Sequence, residues 1–193
     1  SKDSLYVKGF TKIRKRRIPN TNYTFAILPK PQQKLRAPLR IIHSPFSQLV
    51  PPTVSIIMPC YNAAAHLPRS IGSVVAQSFA DWELIAVNDG STDNTLSWLQ
   101  SHNDARLRIH TQSNKGVSTA RNTGLAMAQG HFVAFLDADD TWSPDFLALM
   151  VSALQNRPDA VLAYCGWQNI GPSEALGEPF IPPDYETPDK AQT

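Results

Sequence analysis

Residues 54–101 read VSIIMPCYNAAAHLPRSIGSVVAQSFADWELIAVNDGSTDNTLSWLQS, and this stretch decides the fold. Val54 to Met58 is a nearly unbroken apolar run ended by Pro59, as expected of a strand covered on both faces. Residues 66 to 78 follow with Leu67, Ile71, Val74 and Val75 on one helical face. Glu83 to Val87 repeats the strand, and residues 92 to 101 repeat the helix, with Thr92 or Asp93 supplying the capping oxygen. Apolar strands alternating with helices of this length build a parallel sheet.

The pattern continues downstream. Leu107 to His110 reads as a third strand and Val117 to Gln129 as a helix of small residues capped by Gly130. His131 to Leu136 reads as the fourth strand. Ser143 caps a further helix opened by Pro144, and Ala160 to Tyr164 reads as a fifth strand. The expected class is α/β: a mostly parallel, Rossmann-like sheet over residues 53–171 with helices on both faces. Beyond it, residues 172–193 are Pro-rich and aperiodic, the start of another half.

Composition bounds the rest. In 193 residues of 42% hydrophobic content, apolar runs such as Phe132 to Leu136 are far shorter than a membrane helix of roughly 18 residues. Cys60 and Cys165 form neither a CxxC pair nor a ligand spacing, which suits a reducing cytoplasm and speaks against a disulfide framework or structural zinc. The net charge of +2 conceals two materials. Residues 1–50 hold eleven Lys and Arg against one acid; residues 51–193 hold seven against fifteen. The run Lys12 to Arg17 and the scattered prolines make residues 1–52 a basic arm or linker. Such an arm can meet nucleic acid or anionic lipid at the inner face of a membrane. Without an aromatic-basic platform, nucleic acid is disfavoured and a solvated arm is the preferred reading. The chain opens at Ser1 with no leader, so its start reads as a fragment boundary.

In an open parallel sheet, ligands bind beyond the carboxyl ends of the strands. Polar residues gather there: Pro59, Cys60, Tyr61 and Asn62 after the first strand, Asn88 to Asp93 after the second, and Asp137, Ala138, Asp139 and Asp140 after the fourth. Asn88 to Asp93 alone reads as a turn leading into a capped helix. The three acids beside a buried strand repel one another, a cost that a cation offsets. In an extended segment Asp137 and Asp139 share a side while Asp140 faces away. Two carboxylates with phosphate and water suit Mg²⁺ or Mn²⁺. Lys115 and Gly116 at a helix start, with Arg121 one turn in, suit a phosphate, although both cations also serve as ordinary surface charges. There is no GxxxxGK[ST], GxGxxG or GxSxG. His66, His102, His110 and His131 are dispersed and read as structural or exposed, and Trp142 and Trp167 as core rather than sugar platforms.

With those residues in place, residues 53 to about 170 resemble the donor-binding part of family 2 glycosyltransferases of the GT-A fold. The likeness rests on VSIIMPCYNAAAHLPRSIGSVVAQSF, WELIAVNDGSTDNT, NKGVSTARNTGLAMAQG, FVAFLDADD and the helix after Pro144, in that order. It implies a nucleoside-diphosphate sugar donor, UDP-linked, and an acceptor hydroxyl on a glycan, a lipid-linked saccharide or another molecule, as in cell-envelope polysaccharide synthesis. It implies that Pro59, Tyr61 and Asp89 hold the nucleobase, that Lys115 and Arg121 stand near the phosphates, and that Asn62 braces the loop. Asp137, Ala138 and Asp139 match the family's DxD, in which the first acid, Asp137, faces ribose and sugar and the second, Asp139, binds the metal. Such enzymes are typically inverting, with a carboxylate base in an acidic motif well downstream of the DxD. None of Glu174, Glu178, Asp184 and Glu186 forms that motif, so the base is expected beyond Thr193. The competing reading is a module that holds nucleotide-sugar without transfer.

Overall fold

The computed structural model describes residues 27–29, 51–157, 159–170 and 175–181. In chain order these form β1 (Ile27–Pro29), β2 (Val54–Cys60), α1 (Leu67–Val75), β3 (Trp82–Asp89), α2 (Thr95–Ser101), β4 (Leu107–Gln112), α3 (Val117–Met127), β5 (Phe132–Phe135), α4 (Phe146–Gln155), β6 (Trp167–Ile170) and β7 (Ala175–Phe180). The main sheet has the order β1-β5-β2-β3-β4. β5, β2, β3 and β4 are mutually parallel, and β1 runs antiparallel at the β5 edge. The chain builds outward from β2 to β4 and then crosses to the other side of β2. The order therefore reverses between β2 and β5, where a crevice opens at the carboxyl ends.

Every residue of β2 and β3 is buried, which accounts for their largely apolar character; Ser55, Glu83, Asn88 and Asp89 are the buried polar exceptions. Alternate side chains serve two cores. Val54, Ile56 and Met58 pack with Leu67 and Ile71 of α1 and with Phe146, Leu147 and Met150 of α4. On the other face Ile57, Ile85 and Val133 pack with Ala120 and Ala128 at α3. The small residues of α3 allow a close approach: a Cβ built on Gly124 would lie 2.5 Å from Ile57 Cγ2. A polar clamp ties the far end of α3 to the sheet. Ser55 Oγ donates to Glu83 Oε1 at 2.6 Å, Gln129 N–H donates to the same oxygen at 2.8 Å, and Arg108 holds Glu83 Oε2 at 2.7 Å.

Several expectations are corrected. Ile27–Pro29, within the expected arm, joins the sheet; the rest of residues 1–50 lies outside the described residues. Ala160 to Tyr164 forms no strand, because Ala160 and Ala163 pack against the core as an irregular segment. β6 and β7 pair antiparallel as a separate sheet, so the hairpin straddles the boundary expected at residue 171. α3 ends at Met127 with Ala128 extended, and Gly130 instead abuts the β2 backbone, where a Cβ would meet Ser55 N at 2.5 Å. Asp145, not Ser143, occupies the cap position of α4, which begins after Pro144 rather than on it. On α1, Ser70 is buried where Val75 was expected, and Val75 is exposed. Trp142 is core, stacked 4.5 Å from Phe146, whereas Trp167 is exposed and stacked on Phe180.

Candidate functional site

Two adjoining recesses open at the β2 and β5 switch point, sharing walls made by Pro59, Tyr61 and Val117. The smaller, of about 170 Å³, is completed by Cys60, Asp89, Asn114, Gly116 and Ala120. The larger, of about 380 Å³, is completed by Asn62, Ala63, His66, Asp137, Ala138 and Asp139. Tyr61 follows β2 and stands half-exposed between them. Val117, an apolar residue exposed at the first turn of α3, faces it across the rim. An aromatic face and an apolar residue left bare at the mouth of a crevice suit a flat ring.

Asp89 ends β3 and is buried, yet it lies in the wall of the smaller recess. Its Oδ1 accepts from Gln112 Nε2 at 2.8 Å and from the Lys115 N–H at 2.9 Å, and its Oδ2 accepts from the Gly116 N–H at 2.8 Å. Burial pushes its pKa upward, but the bonds from Gln112, Lys115 and Gly116 outweigh burial and hold it below the usual carboxylate range. Gly116 sits at φ 86°, a conformation that costs a side chain dearly and that aims both N–H groups at the carboxylate.

Asn62 braces the other wall. At φ 50° its Oδ1 accepts from the Thr92 N–H at 2.8 Å and the Asp93 N–H at 3.3 Å, while its own N–H donates to Ser91 Oγ at 3.1 Å. Asp93 in turn accepts from the Thr95 N–H at 2.9 Å and the Ala64 N–H at 3.1 Å, tying the start of α2 to the loop before α1. The helix expected from residue 92 thus begins at Thr95, with Asn94 rather than Thr92 or Asp93 in the cap position, while Asp93 meets the Thr95 N–H from one residue earlier and the polar turn braces Tyr61 and its neighbours.

The acids after β5 divide. Asp137 Oδ1 pairs with Arg121 of α3 at 2.6 Å. Asp139 is exposed and forms no hydrogen bond or ion pair with the described residues. Asp140 is not part of either wall; its carboxyl is pushed up to about 6 by burial first and then by Asp139 and Asp137, with Arg69 opposing. Among the described residues no group of three or more His, Cys, Asp and Glu is close enough to enclose a metal ion. Asp137 and Asp139 nevertheless fit an Mg²⁺ or Mn²⁺ ion that completes its shell with phosphate and water, because their oxygens are hard ligands and the Asp139 carboxylate has no partner among the described residues. No helix of the described residues is long and apolar enough to cross a membrane.

Of the residues singled out in the sequence, Pro59, Tyr61, Asn62, Asp89, Asp137, Ala138 and Asp139 line the two recesses. Lys115 and Arg121 do not: Lys115 contributes its backbone N–H to Asp89, and Arg121 stands behind Asp137. Ala63, His66, Asn114, Val117 and Ala120 were missed as wall residues. An apolar Val at a helix start is a readable signal; the others are brought in by chain folding alone.

This architecture, with its crevice at the β2 and β5 ends, is that of the GT-A glycosyltransferases. Staphylococcus aureus TarS (residues 1–349) in complex with UDP is similar with a TM-score of 0.52 and 29% identity, over 55% of this chain and 33% of that one. The mannosyltransferase PcManGT from Pyrobaculum calidifontis, solved with GDP-Man and Mn²⁺, is similar with a TM-score of 0.50 and 32% identity, over 55% and 33%. The chain belongs to the Glycosyl transferase family 2, whose family model matches residues 55–178. Among curated relatives, the Escherichia coli UDP-Glc:alpha-D-GlcNAc-diphosphoundecaprenol beta-1,3-glucosyltransferase WfgD is 38% identical over 71% of this chain and 54% of its own length. The Bacillus subtilis putative teichuronic acid biosynthesis glycosyltransferase TuaG is 42% identical over 55% and 43%. The chain thus spans about half the length of these relatives.

Proposed function

We propose that this chain is the donor-binding part of an inverting, metal-dependent glycosyltransferase that moves a sugar from a UDP-linked donor to an acceptor hydroxyl. The observation that carries this reading is the junction of the two recesses. An aromatic-walled slot ending on buried Asp89 abuts a wider bay floored by Asp137 and Asp139. A base in the first and a diphosphate-sugar in the second would span one continuous ligand.

In this reading Tyr61 stacks on the base, Pro59 and Val117 exclude water from it, and Asp89 accepts its N–H. Asp137, oriented by Arg121, accepts from ribose or sugar hydroxyls. Asp139, whose carboxylate has no partner among the described residues, would hold Mn²⁺ or Mg²⁺ for the diphosphate. When bound, such an ion stabilises charge on the leaving phosphate as a Lewis acid, worth several kcal/mol. Inversion follows from in-line attack by the acceptor hydroxyl on the anomeric carbon, with its proton passing to a carboxylate. Acceptors of the WfgD kind, saccharides on a lipid diphosphate, would bring this site to the cytoplasmic face of a membrane.

Calorimetry with UDP tests the donor half. Affinity should depend on Mn²⁺ and be lost in chelator, and Asp139→Ala should bind UDP equally weakly in both. Equal affinity of the unaltered protein with and without metal would remove the metal role. Transfer is tested by the anomeric configuration of the product, read by NMR. Retention would overturn inversion.

A further inference from the structure

Behind the smaller recess stands a chain of side chains that reaches no ligand itself. Thr123 Oγ1, from the middle of α3, donates to Gln112 Oε1 at 2.8 Å, and Gln112 Nε2, from the last residue of β4, donates to Asp89 Oδ1 at 2.8 Å. Gln112 and Thr123 are half-buried, and neither lines a recess. Three elements, β3, β4 and α3, are thus tied together at one carboxylate.

The direction of this chain is dictated by chemistry. An ionised carboxylate only accepts, so the Gln112 amide must turn its NH₂ toward Asp89. Its oxygen then faces α3 and requires a donor, which the Thr123 hydroxyl supplies. The result leaves Asp89 with a defined remainder. A carboxylate offers about four acceptor directions. Gln112 and the Lys115 N–H take those of Oδ1, and the Gly116 N–H takes one of Oδ2. One acceptor direction, on Oδ2, is left in a residue that walls the recess.

We infer that Gln112 and Thr123 are positioning residues for base recognition: by saturating Oδ1 and fixing the plane of Asp89, they leave a single oriented acceptor that selects a ring N–H. This rests on reading the smaller recess as the nucleobase slot. A uracil edge presents a ring N–H, whereas cytosine presents a ring nitrogen acceptor at the same place and would face the carboxylate acceptor to acceptor. Without Gln112 the carboxylate keeps the Lys115 bond on Oδ1 and the Gly116 bond on Oδ2 but loses the side-chain bond that, with them, fixes its plane. It can then tilt to accept from the exocyclic amine of cytosine, though never from that ring's acceptor nitrogen, so discrimination falls more than the gross shape of the slot changes. The depressed pKa of Asp89, to which Gln112 is the largest lowering contributor, agrees with a carboxylate held charged for this purpose.

The test is the ratio of UDP to CDP affinity, titrated in Mn²⁺ on one preparation of each variant of the full chain. Both nucleotides carry the same diphosphate, and a ratio is unaffected by the folded fraction. Gln112→Leu should lower the ratio about tenfold, the scale of one hydrogen bond to a charged group. Thr123→Val should lower it severalfold, and Thr123→Ser, which restores the donor, should return it to the parental value. Asp89→Asn should abolish the preference. If Asp89→Asn abolishes it while Gln112→Leu and Thr123→Val leave it intact, the positioning role is overturned and the base slot stands. If Asp89→Asn also leaves the ratio unchanged, the base slot itself is wrong and the inference falls with it.

Discussion

Asp139 and Asp137 are two residues apart on one loop yet sit in different electrostatic settings. Asp137 is held by Arg121 at 2.6 Å, and Asp139 has no such partner among the described residues. Replacing Asp139 with alanine should therefore cost the metal-dependent part of donor binding and lower turnover by about 10³-fold, since several kcal/mol at about 1.4 kcal/mol per decade is at stake. Arg121→Ala should act differently. Its pair is partly exposed, so unfolding free energy should change by less than about 1 kcal/mol in a denaturant titration. UDP affinity should still fall, because Asp137 loses its orientation; unchanged affinity would mean that the pair is only surface decoration. These acids, with Tyr61 and Asp89, were legible because each follows an apolar run that must be a buried strand. Gln112, Thr123 and His66 were not, because their partners arrive from other elements and no local spacing records a contact across the sheet.

Elements are specified more by what covers them than by their own sequence. The apolar runs of β2 and β3 announced strands because both faces are buried, but the run Ala160 to Tyr164 has the same character and forms none. Periodicity cannot separate a buried strand from any other short buried segment. The ends of α3 were misread for a related reason: Gly130 suggested a cap, whereas its lack of a side chain is needed against β2. A Cβ there meets backbone at 2.5 Å from Ser55 N and 2.8 Å from Val54 C, neither of which can yield without moving the central strand. At Gly124 the obstacle is the Ile57 side chain. Gly124→Ala should thus destabilise by about 1–3 kcal/mol and Gly130→Ala by more, measured by thermal or urea unfolding. The reverse order would mean that α3, not the turn after it, is the rigid contact.

The clamp at the same end of α3 adds a pH signature. Glu83 is buried; burial raises its pKa, but bonds from Ser55, Arg108 and the Gln129 N–H together pull it below the ordinary glutamate range. A carboxyl lowered on folding stabilises the protein at neutral pH, and that contribution disappears as pH falls through its folded-state value. Glu83→Gln should be less stable than the parent at pH 7 and should lose less stability on acidification. Parallel acid profiles for the two proteins would assign the acid sensitivity to other carboxyls, such as Asp89 or Asp104, which are also lowered.

At the scale of the molecule, the candidate crevice and β1 lie at different places on the sheet. β1 covers the outer edge of β5 through Ile27↔Ala134, Leu28↔Val133 and Pro29↔Phe132, whereas the recesses lie beyond the carboxyl end of β5. A chain starting at residue 51 should therefore bind UDP within about twofold of the parent, because among the described residues no wall residue precedes Pro59. Its solution behaviour should change. Loss of β1 leaves β5 as an open edge able to pair with another copy. The remaining residues carry seven basic against fifteen acidic groups, so copies repel one another. These effects differ in range: repulsion between exposed charges is screened beyond about 8–10 Å at 0.1–0.15 M salt, whereas strand pairing acts at contact and is not. Self-association of the shortened chain, followed by sedimentation or light scattering, should thus be weak at low ionic strength and grow as salt is added, while the full chain stays unchanged. Association that instead weakens with salt would point to charge pairing between copies and away from the uncovered β5 edge.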